Sequence, residues 1–116
     1  MISDWQHIDD EECRRATSAM ELVGKRWTSG VLLAATRGAE RFTEFMAMIP
    51  GLSDRLLTLR LGELQAAGLM EREVIPSTPV QVRYHLTDRG RDLMESLAPL
   101  VQYGQRWADR HEPQPQ

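Results

Sequence analysis

The chain has 116 residues, of which 41% are hydrophobic and 27% charged, a balance that fits one small globular domain and excludes an intrinsically disordered chain. Its formal net charge is −3, so the overall charge alone does not indicate a polyanionic partner. The longest apolar run, residues 31–35, is too short to cross a bilayer, and the N-terminus lacks the basic and apolar regions of a signal peptide, so we expect a cytoplasmic protein.

Cysteine and histidine content argues against a metal site or a catalytic site. Cys13 is the single cysteine, and His7, His85 and His111 lie far apart in the sequence, so neither a disulfide within the chain nor a zinc site is expected. The sequence contains no nucleophile–base pairing, no metal-ligand spacing and no Gly-rich phosphate loop. We therefore expect neither an enzyme nor a bound cofactor.

Acidic residues dominate the beginning of the chain. Residues 1–12 carry five carboxylates and no Lys or Arg, so the remaining chain has 14 basic residues against 17 − 5 = 12 acidic ones. This pattern predicts an acidic N-terminal arm over 1–12, followed by a domain over 13–111.

The first helix is predicted from apolar residues at helical spacing and ends at Gly24. Its apolar positions are Cys13, Ala16, Ala19, Met20 and Val23.

Three further helices follow in close succession. A second helix is predicted over 27–36 and a short third over 41–48, after which Pro50 and Gly51 break the chain. Ser53 is a typical N-cap for a fourth helix, which runs to Ala67. Its apolar stripe predicts a core-facing side formed by Leu57, Leu61 and Leu64, and the opposite side carries Arg55, Thr58, Leu59 and Gly62.

A hairpin and a last helix complete the predicted fold. Two runs rich in Val, Ile and Tyr, 69–75 and 80–86, flank a Pro-containing turn and predict a β-hairpin. Thr87 then caps a helix that reaches Trp107, with Pro99 inside it as a possible kink or break. Residues 112–116 are predicted to be a disordered tail. The predicted fold class is mostly α with a β-hairpin wing, a winged helix-turn-helix.

This order of elements is suited to duplex DNA. A helix fits the major groove, where base edges present distinguishable hydrogen-bonding patterns, and a hairpin directly after it can reach a neighbouring groove or phosphate run. Arg60 lies off the polar face and has two open roles, a phosphate contact or a brace for the helix. The candidate DNA-contacting residues are Lys25, Arg26, Ser53, Arg55, Thr58, Arg60 and Arg83.

Five ordered motifs resemble the HxlR-type regulators, a group related to the MarR winged-helix regulators, and the resemblance spans about 13–107. The motifs are GKRW at 24–27, RFTEF at 41–45, PGLS with LTLRL at 50–53 and 57–61, AGLMER at 67–72, and YHLTDRG at 84–90. The chain departs from the family pattern at Arg14, where Pro is usual, and at Leu59 and Gly62, where polar or charged residues are frequent. The wing departs as well, because Gln81 stands where Arg is frequent and Arg83 where an acidic residue is frequent.

The resemblance implies a homodimer that binds a two-fold operator in double-stranded DNA and acts as a transcriptional repressor or activator. The first and last helices would form the dimer interface. The implied interface residues are Ala16, Met20, Leu97, Val101 and Trp107, which without the resemblance suit a monomer core equally well.

Two questions stay open from the sequence. Cys13 is either an electrophile or redox sensor, as the matching cysteine is in some members of the family, or a small buried hydrophobic residue. The domain is either a DNA-binding regulator, with a small-molecule or redox effector as a further candidate partner, or a winged-helix module that binds proteins.

Overall fold

The computed structural model describes residues 5–108, which form a 3-10 turn, five α-helices and one antiparallel hairpin. The helices are α1 (Asp10–Gly24), α2 (Thr28–Thr36), α3 (Phe42–Met48), α4 (Asp54–Ala66) and α5 (Asp88–Trp107). The strands are β1 (Met70–Ile75) and β2 (Gln81–Leu86), which with the connecting residues 76–80 form the wing. The predicted order of elements is confirmed.

α1 begins earlier than the sequence predicted. Asp9 is its N-cap, and the Asp9 side chain accepts a hydrogen bond from the backbone N–H of Glu12 at 2.8 Å. The carboxylates of the first turn lie at the positive end of the helix dipole, which favours acidic residues there. The later start of this helix, after residue 12, was therefore wrong. The acidic arm over 1–12 stays a prediction as a unit of the chain, and residues 1–4 and the predicted tail over 112–116 lie outside the described residues.

α5 is a single helix that runs through Pro99, so the predicted break does not occur. Proline leaves the carbonyl four residues earlier without an amide partner. Pro99 and Glu95 are both exposed, and water can therefore satisfy that carbonyl. Thr87 caps the helix as predicted, because its Oγ1 accepts a hydrogen bond from the backbone N–H of Gly90 at 3.0 Å.

The core lies where α2, α3, α4 and the start of β1 meet. Phe45 of α3 is fully buried and its ring packs edge-on against Tyr84 of β2, with 6.4 Å between the ring centroids. The largest other fully buried side chains come from α2 and α4: Leu32, Leu57, Leu61, Leu64, Val31 and Thr28. α1 contributes no buried residue and α5 contributes only Gly90, so these two helices lie on the outside of the described chain.

The wing is attached through β2 to the segment before α3. The strands pair antiparallel from Met70 opposite Leu86 to Ile75 opposite Gln81. The backbone N–H of Tyr84 donates to the carbonyl oxygen of Glu40 at 2.8 Å, which attaches β2 to the segment between α2 and α3. The base of the wing is therefore fixed relative to the start of α3.

The first turn of α5 lies directly on the segment that joins α4 to β1. The backbone N–H of Thr87 donates to the carbonyl oxygen of Leu69 at 3.0 Å, and its Oγ1 donates to the carbonyl oxygen of Gly68 at 2.6 Å. Gly90 is buried here, and a Cβ atom at this position would collide with the Leu69 carbonyl oxygen. Glycine at position 90 is thus what permits α5 to approach so closely.

Candidate nucleic-acid interface

The helix-turn-helix is formed by α3, a turn over residues 49–53, and α4. Gly51 adopts a φ of +88° in the turn, a conformation that glycine reaches without steric cost. Ser53 caps α4 as predicted, because its Oγ accepts a hydrogen bond from the backbone N–H of Leu56 at 3.1 Å. The turn and the cap together fix where α4 starts relative to α3.

α4 has a buried side and an exposed side, in agreement with its sequence pattern. Leu57, Leu61 and Leu64 are at most 1% exposed. The exposed side carries Arg55, Thr58, Leu59 and Gly62. In a helix-turn-helix this uncovered side of the second helix is the one that can enter the major groove.

Arg60 belongs to the protein interior rather than to that exposed side. It is 8% exposed, its Nε donates to the carbonyl oxygen of Arg26 at 2.8 Å, and its Nη1 donates to Glu63 Oε1 at 3.1 Å. Of the two roles that the sequence left open, the structure assigns the brace. A contact between Arg60 and DNA stays a prediction, and it would require the guanidinium to leave its partners in α4 and in the turn after α1.

Lys25 and Arg26 lie in the turn between α1 and α2, close to the middle of α4. Lys25 Nζ is paired with Glu63 Oε2 at 2.7 Å, and its side chain is 47% exposed. The hydrogen bond from Lys25 lowers the pKa of Glu63 below its ordinary value, so this carboxylate is ionised at neutral pH. The Arg26 guanidinium lies 5.0 Å from the centroid of the Trp27 ring. Unlike Lys25, Arg26 has no acidic partner among residues 5–108.

Arg83 is held at the base of the wing. Its Nη1 lies 2.7 Å from Glu40 Oε1, its Nη2 donates to Gln81 Oε1 at 3.2 Å, and its buried Nε has no partner among the described residues. A contact between Arg83 and a phosphate stays a prediction, and it would require the guanidinium to leave Glu40. Arg83 therefore connects the wing to the helices in the unbound protein.

The sequence did not indicate the residues that surround the pair of Arg83 and Glu40. Arg41, at the start of α3, also donates to Gln81 Oε1 at 3.2 Å, and Glu44 accepts hydrogen bonds from the backbone N–H groups of Arg41 and Glu40 at 2.9 and 2.8 Å. These hydrogen bonds lower the pKa of Glu44. Arg72 on β1, an exposed cation of the wing, was missed as well. Contacts between residues some 40 positions apart leave no periodic pattern in the sequence.

The predicted interface residues on α1 and α5 are largely uncovered. Met20 is 70% exposed, Val101 and Trp107 are each 44% exposed, Ala16 is exposed and Leu97 is half-buried. They are thus not the core of the described chain, which was the alternative interpretation. An apolar surface of this kind is typical of an interaction face.

Cys13 is an exposed free thiol in the second turn of α1. The two arginines that follow it in sequence are directed to Glu11, with nitrogen–oxygen distances of 4.0 Å from Arg14 and 2.6 Å from Arg15. In the single chain Cys13 is therefore not a buried hydrophobic residue. Its role as a sensor stays a hypothesis.

Residues 5–108 contain neither a metal-binding cluster nor a helix that could span a membrane. No cluster of three or more His, Cys, Asp or Glu side chains in this part of the chain is arranged to hold a metal ion. None of its helices combines the length and the apolar character that a membrane span needs.

Known proteins resemble the chain both in sequence and in structure. The model of the HxlR-like helix-turn-helix family matches residues 22–112. The HTH-type transcriptional regulator YodB of Bacillus subtilis is 39% identical over 98 residues, which cover 84% of each chain.

Two solved structures extend the similarity to the fold. A protein from Enterococcus faecalis assigned to the MarR family of transcriptional regulators superposes with a TM-score of 0.76 at 28% identity, covering 88% of this chain and 91% of that one. The oxidised form of the redox regulator HypR superposes with a TM-score of 0.74 at 31% identity, covering 84% and 99%. The predicted winged helix-turn-helix class is thereby confirmed.

Proposed function

Because this chain belongs to the HxlR-like helix-turn-helix family, we propose that it regulates transcription by binding an operator in duplex DNA through α4. The observation that carries the proposal is the exposed side of α4, the capped second helix of the helix-turn-helix, which directly precedes the wing. Arg55 and Thr58 on that side lie in the first two turns, where a recognition helix contacts base edges. Ser53 lies beside them and can place its backbone against a phosphate in addition to capping the helix.

Backbone contacts come from different residues than base contacts. Arg26 lies in the turn before α2, and its guanidinium is exposed beside Trp27. Lys25 is the second cation of this turn, but it forms an ion pair with Glu63. Arg26 is therefore the stronger candidate for a phosphate contact, and Lys25 contributes more to holding α4 in place.

The regulator acts as a homodimer in this proposal. α1 and α5 expose apolar side chains on the outside of the described chain, and joining two copies would remove them from water. A two-fold dimer presents its two α4 helices to half-sites about 34 Å apart, one turn of DNA. The residues assigned to the interface are Ala16, Met20, Leu97, Val101 and Trp107.

Cys13 adds a redox response to this function. It lies on α1 at helical spacing from Ala16 and Met20, so a group added to its thiol would sit within the proposed interface. Oxidation would give a disulfide to a second subunit or a mixed disulfide with a small thiol, since residues 5–108 hold no other cysteine. We expect a thiol oxidant to change the operator affinity of the wild type and to leave that of Cys13→Ser unchanged. An equal response in both proteins contradicts the role of Cys13.

A protein-binding module is the competing function. The formal net charge of −3 and the exposed Leu59 on α4 favour it, because DNA-binding surfaces are usually polar and basic. Contacts with phosphates release counterions, so DNA affinity falls steeply with salt concentration. The dependence of binding on salt therefore separates the two functions.

The deciding experiment titrates the reduced protein onto labelled DNA from upstream of its own gene, against random-sequence competitor, at several salt concentrations. We expect binding that exceeds the competitor and weakens steeply with salt. Arg55→Ala should lose this selectivity, whereas the control Arg14→Ala, which removes an exposed arginine from α1, should retain it. Binding equal to that of competitor on upstream DNA and on a selected random library contradicts the proposal.

A further inference from the structure

Leu59 is out of place for a solvent-exposed helix face. It is 50% exposed, and in α4, all of which the structure describes, it is the only large hydrophobic side chain that is exposed rather than half-buried or buried. The three leucines that hold α4 to the core lie on the other side of the helix. Leu59 therefore contributes nothing to the core, and leaving it in water has a cost.

The neighbours of Leu59 belong to the surface proposed to bind DNA. Arg55 lies one turn before it and Gly62 nearly one turn after it on the exposed side, with Thr58 adjacent. A Cβ atom at position 62 would have no neighbour within 4 Å, so glycine is not needed there for packing. The absence of a side chain at Gly62 allows a molecule that binds this side to come close to the backbone of α4.

The major groove offers one apolar group to such a side chain. Of the base edges exposed there, only thymine carries a methyl group, and apolar side chains recognise it by contact. The hydroxyl of Thr58 donates to the carbonyl oxygen of Asp54 at 2.9 Å, so it is engaged within the helix. Leu59 is thus the residue of this side with the area and the apolarity to cover a methyl group.

We propose that Leu59 determines operator sequence by packing against the 5-methyl group of a thymine in the major groove, within the stretch of bases that Arg55 also contacts. The inference rests on the proposed function, since it needs α4 in the groove. Replacing thymine by deoxyuridine removes that methyl group while base pairing is unchanged. Burial of one such group corresponds to roughly a fourfold change in Kd.

The test first selects operators for the full-length protein from a random DNA library. Each thymine of a selected operator is then replaced by deoxyuridine, and Kd is measured by fluorescence anisotropy for the wild type and for Leu59→Ala. We expect one position in each half-site at which uracil weakens binding of the wild type by about fourfold. For Leu59→Ala the thymine and uracil operators should bind equally.

Two further variants separate the methyl contact from general effects. Leu59→Met keeps an apolar side chain of similar volume and should keep the preference for thymine. Leu33→Ala removes a 39% exposed leucine from α2 and should keep it as well.

Three results would overturn the inference. If no selective DNA binding is found in the library, the proposed function fails together with it. If the wild type binds its operator selectively but tolerates uracil at every position, only the role of Leu59 fails. The same conclusion follows if Leu59→Ala still prefers thymine at the sensitive position.

Discussion

Arg60→Met is the substitution for which the structure gives the clearest stability prediction. Methionine keeps an unbranched side chain but cannot donate to the carbonyl of Arg26 or to Glu63, which Arg60 contacts at 2.8 and 3.1 Å. A hydrogen bond from a charged donor contributes about 1.5–3 kcal/mol, and a partly exposed ion pair adds about 0.2–1 kcal/mol. Burial of the apolar methionine side chain offsets part of this loss. We therefore expect a net decrease of about 2–3 kcal/mol in the free energy of unfolding.

Urea unfolding followed by circular dichroism measures this loss. All proteins must be compared at one concentration, because the stability of the proposed dimer would depend on concentration. With a slope of about 1–3 kcal/mol per molar urea for a small protein, the midpoint should fall by roughly 1 M. Arg55→Met is the matched control on the exposed side of the same helix and should stay within about 0.5 kcal/mol of the wild type. A midpoint for Arg60→Met equal to that of the wild type would refute the brace.

The same variant tests whether Arg60 contacts DNA. An arginine that contacts a phosphate adds about one to the slope of log Kd against log salt concentration. Arg60 is bound within the protein, so Arg60→Met should keep the slope of the wild type at a temperature where both are folded. A slope lower by about one would restore the phosphate contact.

Three other predictions concern packing, pH and assembly. Gly90→Ala should destabilise by about 2–3 kcal/mol because its Cβ meets a backbone carbonyl, whereas Gly62→Ala, with open space around it, should stabilise by about 0.5–1 kcal/mol; equal thermal shifts would contradict this contrast. The lowered pKa of Glu63 means that its ionised form stabilises the fold at neutral pH. Urea titrations of the wild type and Glu63→Gln should therefore show a stability difference that holds above pH 4.5, the ordinary pKa of Glu63, and shrinks as the pH falls below it; a difference independent of pH would contradict the prediction. Val101→Asp should sediment as a monomer because it places a charge in the proposed interface, and the control Gln102→Asp should remain dimeric; dimeric Val101→Asp would exclude that interface.

The parts of the fold that local signals determine were predictable from the sequence. The N-cap at Ser53 and the apolar stripe of α4 follow from residues within one or two turns of each other. The early start of α1 was missed because its first turn contains only acidic residues. Such a turn is stabilised by the helix dipole and by the cap at Asp9 rather than by an apolar face.

The candidate site was predictable only in part. The sequence places Arg55 and Thr58 on the outer side of α4 and Arg60 off that side, but it does not decide between the two roles of Arg60. The fold turns Arg60 inward to the carbonyl of Arg26. The pair of Arg83 with Glu40 bridges 43 positions of the chain. Contacts of this kind depend on how helices pack, and no spacing rule within one helix anticipates them.

Because the first turn of α5 is held against the segment between α4 and β1, a small tilt of the helix becomes a larger displacement at its other end. α5 has 20 residues and is therefore about 30 Å long. Its first turn is hydrogen-bonded to Gly68 and Leu69, directly after α4. With that turn held, a tilt of about 5° displaces the far end, near Trp107, by about 3 Å over such a length. In the proposed dimer, half-site spacing on DNA would thus be sensitive to small rotations of α5, because two copies would meet at its far end.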